Sequence, residues 1–177
     1  MKEEDEFMST INNKPTIVDD EKTTLVRNVI EHRATWFYLL LDEARKRGLD
    51  MEEVGRAAIY RCGCFHGVER MLKNCEDPED LRSFLKVFAD ETGQKVFEME
   101  IVENTEDKLY IDFHYCPLVA AWQKLGVKED EIPLLCDIAM DGDRGICSRM
   151  DGYEFKLGKV IAKDEGICEI RIERHSK

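Results

Sequence analysis

His114, Cys116, Cys136, Asp137 and Arg144 combine an imidazole, two thiols, a carboxylate and a guanidinium within one short stretch of this chain. Cys116 directly precedes Pro117, a residue suited to the first helical position. The free amides and dipole of a helix start favour an anion, so a thiol there is expected to ionise more readily than an ordinary cysteine. A thiolate is a nucleophile or a soft metal ligand. His114 shares a strand face with Cys116 if the strand continues that far, as base or co-ligand. The alternative is a packed Cys116 with His114 closing the strand end. Cys136 and Asp137 follow on a helical segment and point to different faces. Arg144, in Asp141-Gly142-Asp143-Arg144-Gly145, reads as a loop cation able to grip a carboxylate through paired N–H donors.

Other thiols are open to two readings. Cys168 alternates with Ile170 and Ile172 on an apolar strand face, as a core cysteine would. Cys62 and His66 are four apart on a helix, a spacing that can pinch a metal, while Cys64 lies round the other side. Gly63 and Gly67 suggest instead a close contact between helices. Trp36 and Trp122 read as core aromatics.

The elements holding these residues follow from periodicity. Residues 1–22 are polar and acidic and are expected to form a flexible arm. Residues 23–177 form one domain, with a helical half, 23–92, and a second half, 93–177. From Thr24 two neighbouring apolar stripes run along one helix: Leu25, Val29, Arg33, Trp36 and Leu40, then Val26, Ile30, Phe37, Leu41 and Ala44. A second helix is expected over 51–74, and a third opens at Asp77-Pro78 and runs to about Glu91. After Gly93 the period becomes two. Phe97, Met99 and Ile101, then Leu109, Ile111, Phe113 and Tyr115, make a hairpin around Asn104-Thr105-Glu106-Asp107. Two short helices follow, near 117–125 and 131–140. A second hairpin joins Tyr153–Ile161 to Ile167–Glu173. The fold class is α+β: N-terminal helices, then two hairpins forming an antiparallel sheet with two short helices between them.

The blocks CPLVAAWQKLG, PLLCDIAM and KLGKVIAKDEGICEIRI, spread over residues 112–174, resemble the L-2-amino-thiazoline-4-carboxylic acid hydrolase family. The resemblance implies a hydrolase that opens a cyclic amidine-like carboxylate by attack at the ring carbon between nitrogen and sulfur, leaving a carbamoyl-cysteine. It also implies that Cys116, Cys136 and Cys168, with His114, form a set that could converge on a divalent metal such as zinc. Catalytic expectations fall on Cys116, His114, Cys136 and Asp137, with Arg144 binding the substrate carboxylate. The C-terminal order also looks like the four-vinyl-reductase-type and TRAPP-subunit domains. That analogy supplies the competing reading, a non-enzymatic module binding a small molecule or metal.

The 177 residues carry 38 acids against 26 Lys and Arg, a net charge of −12. Such a balance argues against a nucleic-acid partner and against docking on an anionic membrane surface. A chain this long buries about 70% of its unfolded surface, so its core does not need disulfides. With no apolar leader after MKEEDEF, the seven cysteines are expected as free thiols in a reducing cytoplasm. The expected partner is a small carboxylate, and a homo-oligomer is left open.

Overall fold

In the computed structural model, residues 9–175 are described. Helix α1, Glu21–Lys46, is capped by Asp20, whose carboxylate accepts the Thr23 amide at 2.7 Å. Helix α2, Met51–His66, is capped in the same way by Asp50. It then widens into a π turn over Gly67–Met71 and tightens to a 3-10 turn over Leu72–Asn74. The expected 51–74 helix is thus one rod with a changed ending. Helix α3, Leu81–Phe88, starts later than expected, because Asp80 is its cap, through the Arg82 amide, and Pro78 lies in the preceding turn. Helix α4, Glu91–Phe97, takes residues expected to be loop and first strand. Glu98 then turns the chain with a left-handed φ of 50°.

Strands β1 (Met99–Asn104) and β2 (Lys108–Phe113) form the first hairpin. Helices α5 (Pro117–Lys124), α6 (Ile132–Ala139) and α7 (Asp141–Cys147) follow. Strands β3 (Tyr153–Leu157) and β4 (Cys168–Arg174) complete an antiparallel sheet of order β1-β2-β4-β3. Phe113 pairs with Cys168, and Ile111 with Ile170. That register puts Leu109, Ile111, Cys168, Ile170 and Ile172 on one buried face. The architecture is α+β, with helices N-terminal to the sheet and between its hairpins, as expected.

Three expectations change. Asp141–Cys147 is a helix rather than a loop, because Gly142 and Gly145 serve a helix contact. Residues 9–20 are held down rather than loose. Gln123 donates to the Ile11 carbonyl, Asn12 donates to Asp164, and Asn13 bonds both backbone groups of Cys116. Residues 1–8 of the expected arm lie outside the described residues. The third concerns α1. Its Ala34 and Leu41 face the core with Phe37, while Leu25, Val29, Trp36 and Leu40 stand outward. Trp36 is 62% exposed, whereas Trp122 is fully buried and donates its indole N–H to the Ala34 carbonyl. Two adjacent apolar stripes cover more of a helix than one sheet-and-helix core can bury. Among the described residues no helix is long and apolar enough to cross a membrane.

Candidate functional site

Cys116 ends the crossing from β2 to α5. Its amide donates to Asn13 Oδ1 at 2.9 Å, and its carbonyl accepts from Asn13 Nδ2 at 2.8 Å. Its thiol faces the backbone amides of Leu118 and Val119 at the start of α5, as the Cys-Pro pattern implied. Ionisation is nonetheless not favoured. Burial pushes the thiol above its ordinary range and outweighs both amides.

Cys136 from α6 and Cys168 from β4 come into the same buried region. Burial raises Cys136 well above a free thiol, and the neighbouring Cys116 and Cys168 raise it further. Cys168 is pushed up to about 12 by burial, and its sulfur accepts the Ile161 amide at 3.3 Å. The three thiols thus form one electrostatically coupled group. His114 does not join it. The strand ends at Phe113, and His114 turns to the exposed side, where Nε2 lies 3.2 Å from Glu100. A zinc ion needs four donors pointing at one centre, and with His114 turned outward the three thiols lack the fourth. No cluster of three or more His, Cys, Asp or Glu side chains among the described residues is arranged to hold a metal. The Cys116–Cys136–Cys168–His114 set thus does not fit a zinc ion, and all seven cysteines are free.

Asp137 and Arg144 belong to a different structure, an ion cluster between α2 and the α6–α7 corner. Arg144 donates to Asp137 Oδ1 and to Asp141 Oδ1, each at 2.6 Å. Arg56, absent from the sequence expectations, takes the other oxygens at 2.7 and 3.1 Å. Burial would raise the Asp137 carboxyl, but Arg144 and Arg56 hold it below the usual range. Arg144 is thereby engaged on both prongs, which corrects its reading as a free carboxylate grip. Asp137 is separated from the Cys136 thiol by its helix, as the i,i+1 spacing required.

Cys62 is exposed and Cys64 is buried, its sulfur 3.6 Å from Ser148 Oγ. The glycines explain this pattern. A Cβ at Gly63 would collide with the Gly142 carbonyl, and one at Gly145 with the Tyr60 carbonyl. Helices α2 and α7 are in backbone contact there, so the close-contact reading of the glycines holds.

Sequence reasoning missed Asp143 and Arg33. Asp143 is half-buried on α7, and burial pushes its carboxyl up to about 6, with Arg33 and Arg144 pulling it down in part. Arg33, exposed on α1, also lowers Cys116. One cation thus acts electrostatically on both a titratable acid and the helix-start thiol. Asp143 also sits one helical turn before Cys147, a buried thiol that burial and Asp143 both raise. Only a helical reading of Asp141–Cys147 would have exposed that i,i+4 relation, and its two glycines disguised it. The surface clefts lie elsewhere: one of about 420 Å³ beside Ile17, Gln94 and Glu98, another beside Asp20, Thr23 and Lys95. Neither reaches the thiols.

A small α+β protein with a buried cluster of unbridged thiols and a carboxyl raised by burial is the class that fold and site define. The chain belongs to the L-2-amino-thiazoline-4-carboxylic acid hydrolase family, whose sequence model matches residues 27–172, most of the chain. No characterised protein matches it in sequence. In structure it is similar to a trafficking protein particle complex subunit 3 from Naegleria fowleri, covalently bound to palmitic acid. The TM-score is 0.55 at 15% identity, over 82% of this chain and 95% of that one. At that identity the likeness is one of fold.

Proposed function

We propose that this protein is a hydrolase acting on a small cyclic amidine-like carboxylate, with Arg33, Asp143 and Cys116 as its working groups. The observation that carries this reading is the position of Arg33, which acts electrostatically on both Asp143 and Cys116. Opening such a ring requires a cation for the carboxylate, a group that moves a proton near neutral pH, and a nucleophile. Arg33 supplies the first and has no ion-pair partner among the described residues. Asp143, pushed up to about 6, supplies the second, since a base works best with a pKa close to the working pH. Cys116 supplies the third, or lines the site while Asp143 activates water. Its two facing amides can stabilise charge that develops on sulfur. Family membership supports the reaction class.

Cys116 is only 7% exposed, so substrate entry requires the groups packed over it to move aside. The test is turnover of a 2-aminothiazoline-4-carboxylate across pH. The expected profile of kcat/KM rises through a pH near 6 and flattens above it. Asp143→Asn abolishes the rise, and Arg33→Ala raises KM more than Arg33→Lys does. Arg144→Ala, which breaks the ion cluster, lowers stability before it changes KM. Full turnover in Cys116→Ser would assign the attack to water. A wild type that neither binds nor turns over this compound would overturn the hydrolase reading.

A further inference from the structure

We infer that the outward face of α1 is an interface with a second copy of this chain. Along the helix, Leu25, Val29, His32, Trp36 and Leu39 recur at intervals of four, three, four and three residues, with Leu40 beside them. That is the a/d spacing by which one helix packs its side chains into another. The row lies on the opposite side of α1 from the buried Thr23, Arg27, Ala34 and Leu41, so nothing in the described fold covers it. Leu25, Val29, Trp36 and Leu40 are each more than 60% exposed, and Leu39 is 45% exposed. His32 packs edge-on against Trp36 and keeps the row continuous.

Area and charge both point to a second copy. Side chains of these sizes leave on the order of 500 Å² of apolar surface open on α1. A standard interface needs about 800 Å² per partner, little more than half of it apolar. On α2, which packs against α1, exposed Val54 and Phe65 add apolar area, with the cation Arg61 between them. A chain of net charge −12 repels its own copies wherever acids face each other. No acid stands between Leu25 and Leu40 on the outward row. Glu31 is turned toward α5, where it holds Lys124 at 2.6 Å, and Asp42 and Glu43 are occupied by Arg45, Lys46 and Arg47 beyond the row's end. The row also reads alike in both directions about His32, with Leu25 answering Leu39 and Leu40, and Val29 answering Trp36. An antiparallel pair crossing at His32 about a two-fold axis would therefore bring leucine against leucine at both ends of the row, each contact being made twice.

The test is sedimentation equilibrium of the full chain from low micromolar to several hundred micromolar, with tryptophan emission followed on dilution. Trp122 is fully buried in the core, so a red shift on dilution reports Trp36 alone. A reversible dimer with that red shift is expected, and Val29→Glu should weaken it by at least about tenfold. The same charge placed on exposed β1 as Val102→Glu should leave the dimer intact. Unchanged Trp122 emission in Val29→Glu shows that it still folds. A wild type monomeric up to the highest concentration overturns the proposal, as does equal weakening by both variants. Monomeric protein that co-sediments with neutral phospholipid vesicles through this face would assign the surface to lipid, and would equally overturn it.

Discussion

Arg27 and Glu98 form a salt bridge at 2.9 Å with both side chains only 7% exposed, and this pair ties the N-terminal segment to α1 and α4. Glu98 also accepts the Thr16 and Ile17 amides, while Arg27 donates to the Val96 carbonyl and covers the Tyr115 ring at 4.4 Å. A carboxylate at a left-handed backbone position thereby becomes the anchor for residues 16 and 17, which the sequence marks only as a polar arm.

Glu98→Gln is expected to destabilise the protein by about 3 kcal/mol at neutral pH, because Arg27 is left buried without its counter-charge. Burial alone would raise the Glu98 carboxyl, but the Ile17 and Thr16 hydrogen bonds and Arg27 hold it below its ordinary value. A folded-state pKa below the unfolded one gives stability that is present above about pH 4.3 and is lost as pH falls through the folded value. Urea midpoints of wild type and variant should therefore converge in acid. A gap that stays constant down to pH 2 would show that the charge is not what anchors the segment.

Gly63→Ala should cost about 3 kcal/mol or more, since its Cβ would collide with the Gly142 carbonyl and neither backbone can give way cheaply. Gly142→Ala is the matched control. Its Cβ would meet only the Ile59 side chain, at 3.6 Å, inside a helix that prefers alanine. Thermal unfolding should place the two variants on opposite sides of wild type.

Asp143→Asn is expected to stabilise the fold at pH 8, by roughly 1–3 kcal/mol, while lowering turnover and removing its rise with pH. The Asp143 carboxyl rises to about 6 on folding because burial disfavours its charged form. A raised acid contributes stability fully present below its unfolded pKa and lost as pH climbs through 6. Variant and wild type should thus match near pH 3, separate between about pH 4 and 6, and differ by a constant amount above that. Equal stability at pH 8 would mean that Asp143 is hydrated, and would remove it as the proton carrier.

Periodicity marked the long helices and the two hairpins, because 3.6- and 2-residue repeats are local properties of the chain, but it missed the short helices α4 and α7. It identified the inward row of β4, the Cys-Pro helix start and the two hairpins, and the family blocks followed from the same residues. It could not say which of two apolar stripes on α1 meets the core, since that depends on the surface that α5, α2 and α4 offer. Nor could it pair Arg144 with Asp137, Asp141 and the distant Arg56, or turn His114 away from Cys116. Those outcomes depend on where a strand stops and which backbones touch. The π turn after His66, the Gly63–Gly142 contact and the left-handed Glu98 are set by tertiary packing. So is the ionisation of Cys116: the helix start is written in the sequence, but the burial that overrides it comes from residues distant along the chain.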